Sequence, residues 1–110
     1  YVQGAPQLVA EVAASSASYD LFEKFEIYQQ AGVQEYLVVL AEEAEVRWFA
    51  RTQGKYEPLP ADAAGVIRSA IFPGLWLDTA ALFAEQPANL LTTLQAGLAD
   101  AGHAAFVQQL

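Results

Sequence analysis

Leu8-Val9-Ala10-Glu11-Val12-Ala13 and Glu35-Tyr36-Leu37-Val38-Val39-Leu40, with one amphipathic stretch between them, decide the fold of this chain. Both runs are apolar toward either side, the pattern of strands in the middle of a sheet covered on both faces. The stretch between them, Tyr19 to Ala31, changes period. Leu21, Phe22, Phe25 and Tyr28 form an apolar arc, with Glu23, Glu26 and Gln30 opposite, as on a helix lying against a sheet. Asp20 and Glu23 have capping-box spacing, and Gly32 is a natural C-terminal stop. Strand, helix, strand in this order is a βαβ unit.

Working outward, Gly4-Ala5-Pro6 is a turn leading into the first strand, and Ala14 to Ser18 is a loop of small residues. The acidic turn Ala41 to Ala44 leads into Glu45 to Arg51, where Val46, Trp48 and Ala50 alternate with their neighbours. Thr52-Gln53-Gly54 has turn chemistry, and Lys55 to Leu59 returns as the hairpin partner. Gly65 to Ile71 predicts a short strand, Phe72-Pro73-Gly74 a turn into Leu75-Trp76-Leu77, and Asp78 the cap of a short helix through Phe83. Beyond Pro87, Leu90, Leu91, Leu94 and Leu98 recur at helical spacing, with Gly102 breaking the tail into two pieces. The expected architecture is a mixed α/β layer with a C-terminal helical extension.

The 110 residues are 55% apolar and 16% charged, which excludes a disordered chain and suits one compact domain. The absence of Cys removes disulfides, thiolate zinc sites and cysteine nucleophiles together. The longest apolar run, Tyr36 to Ala41, is far short of the roughly 20 residues of a membrane span, and no signal peptide is visible. These features predict a soluble, cytoplasmic protein without a membrane partner. The start at Tyr1, in a chain without Met, predicts that this is not a nascent N-terminus. The net charge of −8 and the scatter of Lys24, Arg47, Arg51, Lys55 and Arg68 exclude a basic nucleic-acid-binding patch. Contact with nucleic acid has to be local, metal-assisted or carried by other residues.

Two residues stand out chemically. Glu11 places a carboxylate in the middle of an apolar strand, which is costly unless it is protonated, paired or metal-bound. The alternatives are a strand-edge Glu reaching solvent or a structural ion pair. Lys24 falls at the border of the helix's apolar arc. It either snorkels and pairs with Asp20 one turn earlier, or faces the strand and meets Glu11. Elsewhere, His103 has no co-ligand for zinc, and Ser15, Ser16 and Ser18 have no histidine to activate them. No glycine-rich phosphate cradle is present, Glu42, Glu43 and Glu45 read as a solvated turn, and Trp48 and Trp76 read as packing residues.

Pro6-Gln7-Leu8-Val9-Ala10-Glu11-Val12, Ser16, Tyr19-Asp20-Leu21 and Glu23-Lys24 occur in an order and spacing that continue through Tyr28, Ala31-Gly32-Val33 and Glu35-Tyr36 with Leu37-Val38-Val39. Ser69 and Pro73-Gly74-Leu75-Trp76-Leu77 follow. In these motifs the chain resembles the Uma-two family of restriction-endonuclease-like proteins. The resemblance implies a PD-(D/E)XK nuclease-like mixed sheet flanked by helices, and metal-dependent cleavage of DNA phosphodiesters. It implies Mg²⁺ (or Mn²⁺) as cofactor, Glu11 as metal ligand and Lys24 as catalytic cation, with Asp20, Ser16 and Gln7 in support. The lysine of the half-motif would stand at Ala13, and the family's displaced lysine matches Lys24 instead. Gln7 stands where many members have Asp, Ala14 where Ser is usual, and Leu40-Ala41 where Asp-Pro is usual.

The family's second metal carboxylate, on a Pro-Asp strand, lies upstream of Glu11. The resemblance therefore predicts the C-terminal portion of such a domain over residues 1–85, a helical extension over 86–110, and a missing Asp before Tyr1. The competing expectation is a catalytically degenerate module that binds or oligomerises; in either case the Leu-rich C-terminal segment offers an interface for a homodimer. A third is that Glu11 and Lys24 form a buried structural pair.

Overall fold

The computed structural model describes residues 6–17, 20–85 and 87–108. The turn expected at Gly4-Ala5, the loop residue Ser18, the helix start at Tyr19 and the last two residues of the tail lie outside them. The chain forms two compact units, Tyr1–Pro58 and Leu59–Leu110.

The first unit is a four-stranded mixed sheet with one helix. Its elements are β1 (Leu8–Ala13), α1 (Leu21–Ala31), β2 (Glu35–Leu40), β3 (Glu45–Thr52) and β4 (Lys55–Pro58), with the strands side by side in that order. β1 and β2 are parallel, whereas β2, β3 and β4 form an antiparallel meander. The register sets rows of side chains across the sheet. Val9, Tyr36 and Phe49 share one row, and Glu11, Val38 and Arg47 share the next row on that face.

The helix covers this face because its apolar arc matches it. Leu21, Phe25 and Tyr28 pack on a buried cluster that includes Tyr36, Val38, Leu40 and Tyr56. Phe25 meets Phe49 and Tyr56 edge-on, with ring centroids 5.1 and 5.2 Å apart, the favourable aromatic geometry. Three hydrogen bonds tie the end of α1 to the hairpin. Tyr56 Oη donates to the Val33 carbonyl (2.8 Å), the Tyr56 amide to Gln29 Oε1 (2.8 Å), and Arg51 Nε to the Gln29 carbonyl (3.1 Å). At the helix start, Asp20 Oδ1 accepts the Glu23 amide at 2.8 Å. At its end Gly32 takes φ +87°, which a side chain would resist.

The expectation that β1 is covered on both faces needs correction. β1 is an edge strand of the described sheet, and on the face away from α1 Ala10 and Val12 are exposed, Val12 at 77%. β2 has a strand on either side and is buried, but the burial includes Glu35, at 0% exposure. Its carboxylate accepts Trp48 Nε1–H at 2.9 Å, so a polar pair sits where the sequence pattern suggests uniform apolar packing.

The second unit contains the antiparallel ribbon β5 (Val66–Arg68) and β6 (Trp76–Asp78), then α2 (Thr79–Phe83), α3 (Pro87–Leu98) and α4 (Ala101–Gln108). Asp78 caps α2 as expected, accepting the Ala81 amide at 3.0 Å. The break in the tail comes at Ala99-Asp100 and not at Gly102. Asp100 Oδ2 accepts the Gly102 amide at 2.9 Å and so starts α4 with Gly102 inside it. His103 is held by the turn, with Nδ1 3.0 Å from the Pro73 carbonyl oxygen. Arg68 lies 4.5 Å over the Trp76 ring and pairs with Asp62 at 2.9 Å.

The turn before β6 reaches α3 through two glycines. A Cβ on Gly97 would collide with the Gly74 carbonyl and come within 2.9 Å of the Trp76 ring. Gly97→Ala should therefore destabilise the second unit by about 1–3 kcal/mol, seen as a lower midpoint in a thermal melt followed by tryptophan fluorescence. An unchanged melt would show that α3 does not pack on this turn.

Candidate functional site

Parallel pairing of β1 with β2 makes α1 run back along the sheet, so its N-terminal turns lie toward the C-terminal end of β1. That end is where open α/β sheets place ligands. Glu11 sits on β1 under α1, half-buried, in the row that continues through Val38 to Arg47.

The carboxylate of Glu11 meets a phenol. Tyr28 Oη donates a short hydrogen bond to Glu11 Oε1, and the Tyr28 ring lies 5.1 Å from that of Tyr36. The bond to Glu11, aided by burial and by the negative charge, pushes the Tyr28 hydroxyl from its ordinary 10.0 up to about 12. Tyr28 is the site residue that sequence reading missed. Its place on the apolar arc explained it as a core residue, while its spacing from Lys24, four residues along the same helix stripe, was the available signal.

Lys24 lies one turn from Tyr28 toward the N-terminus of α1 and is half-buried. No ion pair joins it to Glu11 or to Asp20 among the described residues, whose recorded pairs are Arg47–Glu45 and Arg68–Asp62. The buried Glu11–Lys24 pair is therefore not formed among the described residues, and Tyr28 is one partner of the Glu11 carboxylate. Asp20 instead caps α1.

Ser16 has a structural anchor beside the site. Its amide and hydroxyl both donate to Glu43 Oε1, at 2.5 and 2.7 Å, which ties the β1–α1 loop to the β2–β3 turn. These bonds hold the Glu43 carboxyl below its usual range. Backbone bonds from Ala41 to Ala13 (2.9 Å) and from Glu42 to Ala14 (2.7 Å) strengthen the same join. Gln7 is exposed, and its carbonyl accepts the Glu35 amide at 2.9 Å to open the β1–β2 ladder.

A divalent ion does not fit the described residues as they stand. Mg²⁺ needs an octahedral set of oxygens anchored by one or two carboxylates. Here Glu11, with Oε1 on the Tyr28 hydroxyl, would be a single anionic ligand, and no group of three or more His, Cys, Asp or Glu that could hold a metal is found among the described residues.

The fold and site define a class: a mixed α/β domain with a carboxylate on the outer strand of the described sheet and a cation on the crossover helix. The chain belongs to the Uma2 family, described as a putative restriction endonuclease, whose model matches residues 1–80. The match lies over the N-terminal part of the chain, so the expectation of the family's C-terminal portion is not borne out. No curated protein matches the chain. Among the described residues, no helix is long and apolar enough to cross a membrane.

The phenols yield a pH prediction. Tyr28 and Tyr56, the latter through burial, are both raised from 10.0 to about 12. The stability they confer is intact below pH 10 and is lost as pH rises through about 12. Absorbance titration at alkaline pH should show Tyr28 and Tyr56 ionising late, with one late-ionising phenol fewer in Tyr28→Phe. Loss of a phenol titrating near pH 10 in that variant would show that Tyr28 is not bonded to Glu11.

Proposed function

We propose that this protein is an endonuclease that hydrolyses DNA phosphodiesters on a PD-(D/E)XK nuclease-like domain. The observation that carries the reading is the placement of Glu11 and Lys24. The carboxylate lies on the strand under α1, and a lysine ammonium with no ion pair among the described residues lies one turn above the phenol that holds it. Family membership supports the same chemistry.

In this reading a phosphodiester lies at the C-terminal end of β1. Hydrolysis adds water across the P–O bond, and negative charge grows on the phosphoryl oxygens and the leaving oxygen. The Lys24 ammonium is the group able to stabilise that charge. Tyr28 is a positioning residue that fixes the Glu11 carboxylate through its hydroxyl. Glu11 would be the chain's own ligand to Mg²⁺ or Mn²⁺, but the described residues do not complete such a site. Its remaining ligands would be water, substrate phosphate oxygens or a group outside the described residues.

A second reading is favoured by that incompleteness and by the net charge of −8. It is a non-catalytic module that self-associates through the C-terminal helices, where Leu91, Leu98 and Val107 are about half exposed (55%, 54% and 48%).

Nicking of supercoiled plasmid in Mn²⁺ or Mg²⁺ separates the two readings. The endonuclease should lose about 100-fold or more in rate in Lys24→Ala and in Glu11→Gln, with thermal melts confirming that both variants fold. Wild-type protein that neither nicks DNA nor binds Mn²⁺, together with a dimer broken by Leu98→Glu in light scattering, would establish the module instead.

A further inference from the structure

The first unit contains a cavity that the Glu11 site does not use. It lies between the first two turns of α1 and β3, and its volume is about 350 Å³. That is the low end of the roughly 300–1,000 Å³ range of small-molecule pockets. Its walls are largely aromatic, with Phe22, Phe25 and Phe49 around a floor formed by the buried Tyr36. Two charged groups complete the lining, Glu26 from α1 and Arg47 from β3. Arg47 occupies the row of Glu11 and Val38, so the cavity adjoins the candidate site on the same face of the sheet.

Phe22 is the feature that core packing does not explain. It is 78% exposed, although it lies on the helix's apolar arc beside the buried cluster. A large aromatic ring at the mouth of an aromatic-walled cavity is an unfilled stacking surface. Arg47 already bonds Glu45 with two of its nitrogens, both at 3.2 Å, but the pair is solvent-exposed at 39% and 46% and therefore weak. A guanidinium has five N–H donors, so Arg47 keeps donors for an anion. Glu26, four residues after Phe22 on the same stripe, offers an acceptor at the lip.

We propose that this cavity binds one nucleotide, its base stacked against Phe22, an exocyclic amine of the base on Glu26 and its phosphate on Arg47. The occupant follows from the lining. A planar ring suits the aromatic walls, an N–H donor suits the carboxylate, and an anion suits the arginine. The choice of a nucleotide over other anionic aromatics rests on the endonuclease reading. In that setting the pocket holds a base drawn out of the stack beside the strand to be cut, which fixes the backbone relative to Lys24.

The test is calorimetric titration of the intact chain with dGMP, dCMP, dAMP and dTMP, and with the corresponding nucleosides, without metal. The amine-bearing nucleotides should bind, with dTMP and the nucleosides weaker. Phe22→Ala should weaken binding about tenfold or more while leaving the thermal melt unchanged, since the ring is exposed. Arg47→Gln should remove the preference of nucleotide over nucleoside, and Glu26→Gln the preference over dTMP. Absence of binding, or binding indifferent to Phe22 and Arg47, would overturn the proposal. So would a dimer abolished by Phe22→Ala, because the cavity mouth would then be covered by a second copy. Glu11→Gln should still bind dGMP. Nucleotide binding without DNA nicking would therefore remove the endonuclease reading and keep the pocket, and nicking without nucleotide binding would do the reverse.

Discussion

Because β1 and β2 run parallel, the chain leaving Ala13 has to travel back along the sheet before it can pair again, and α1 is that return path. The rest of the first unit follows from this constraint. The helix buries the aromatic row of the sheet, Tyr56 and Gln29 fasten its far end to the hairpin, and Tyr28 arrives over Glu11. An antiparallel hairpin in place of β1–α1–β2 would need no helix. It would leave Tyr36 and Phe49 without cover and Glu11 without its phenol.

The position of Glu11 shows how a phenol helps to accommodate a strand carboxylate. A hydroxyl that donates to the charged oxygen offsets part of the desolvation cost. The cost is also moderated by half-burial on an edge strand, whereas Glu35 on the central strand is fully enclosed and takes the Trp48 indole N–H. Two glutamates on neighbouring strands are thus satisfied by aromatic donors from different elements, Tyr28 on the helix and Trp48 on β3. They lie on opposite faces of the sheet, because their register positions differ by an odd number of residues.

Much of this was legible in the sequence. The change of period between Ala13 and Glu35 gave the βαβ unit, Asp20 and Gly32 gave both ends of α1, and Thr52-Gln53-Gly54 gave the hairpin. These are local signals, decided by residues a few positions apart. The failures are of another kind. Whether β1 is central or at an edge depends on what pairs along its other side, which its own six residues do not encode. Glu35 does not stand out in the sequence because a strand run reads as apolar whatever its first residue, and only the pairing with β3 reveals the indole near it. The sequence points Glu11 toward cations because charge is visible in it, whereas packing alone explains the phenol of Tyr28. In the tail, glycine was weighted as a breaker, but the side chain of Asp100 decides where α4 begins.

The join between Ser16 and Glu43 differs in kind from the sheet beside it. The loop that follows Glu11 is fastened at Ala13 and Ala14 by two backbone bonds and at Ser16 by two donors on one exposed carboxylate oxygen, whereas the strand before it is fastened by the β1–β2 ladder. The Glu43 bonds are present while that carboxyl is ionised. They weaken as pH falls through its depressed value, and being exposed they are open to competition from water and ions. Sheet and loop therefore answer to different variables. Acid therefore weakens the link between this loop and the β2–β3 turn without touching the aromatic layer of the sheet, so one unit of 58 residues holds together by two kinds of contact with different sensitivities.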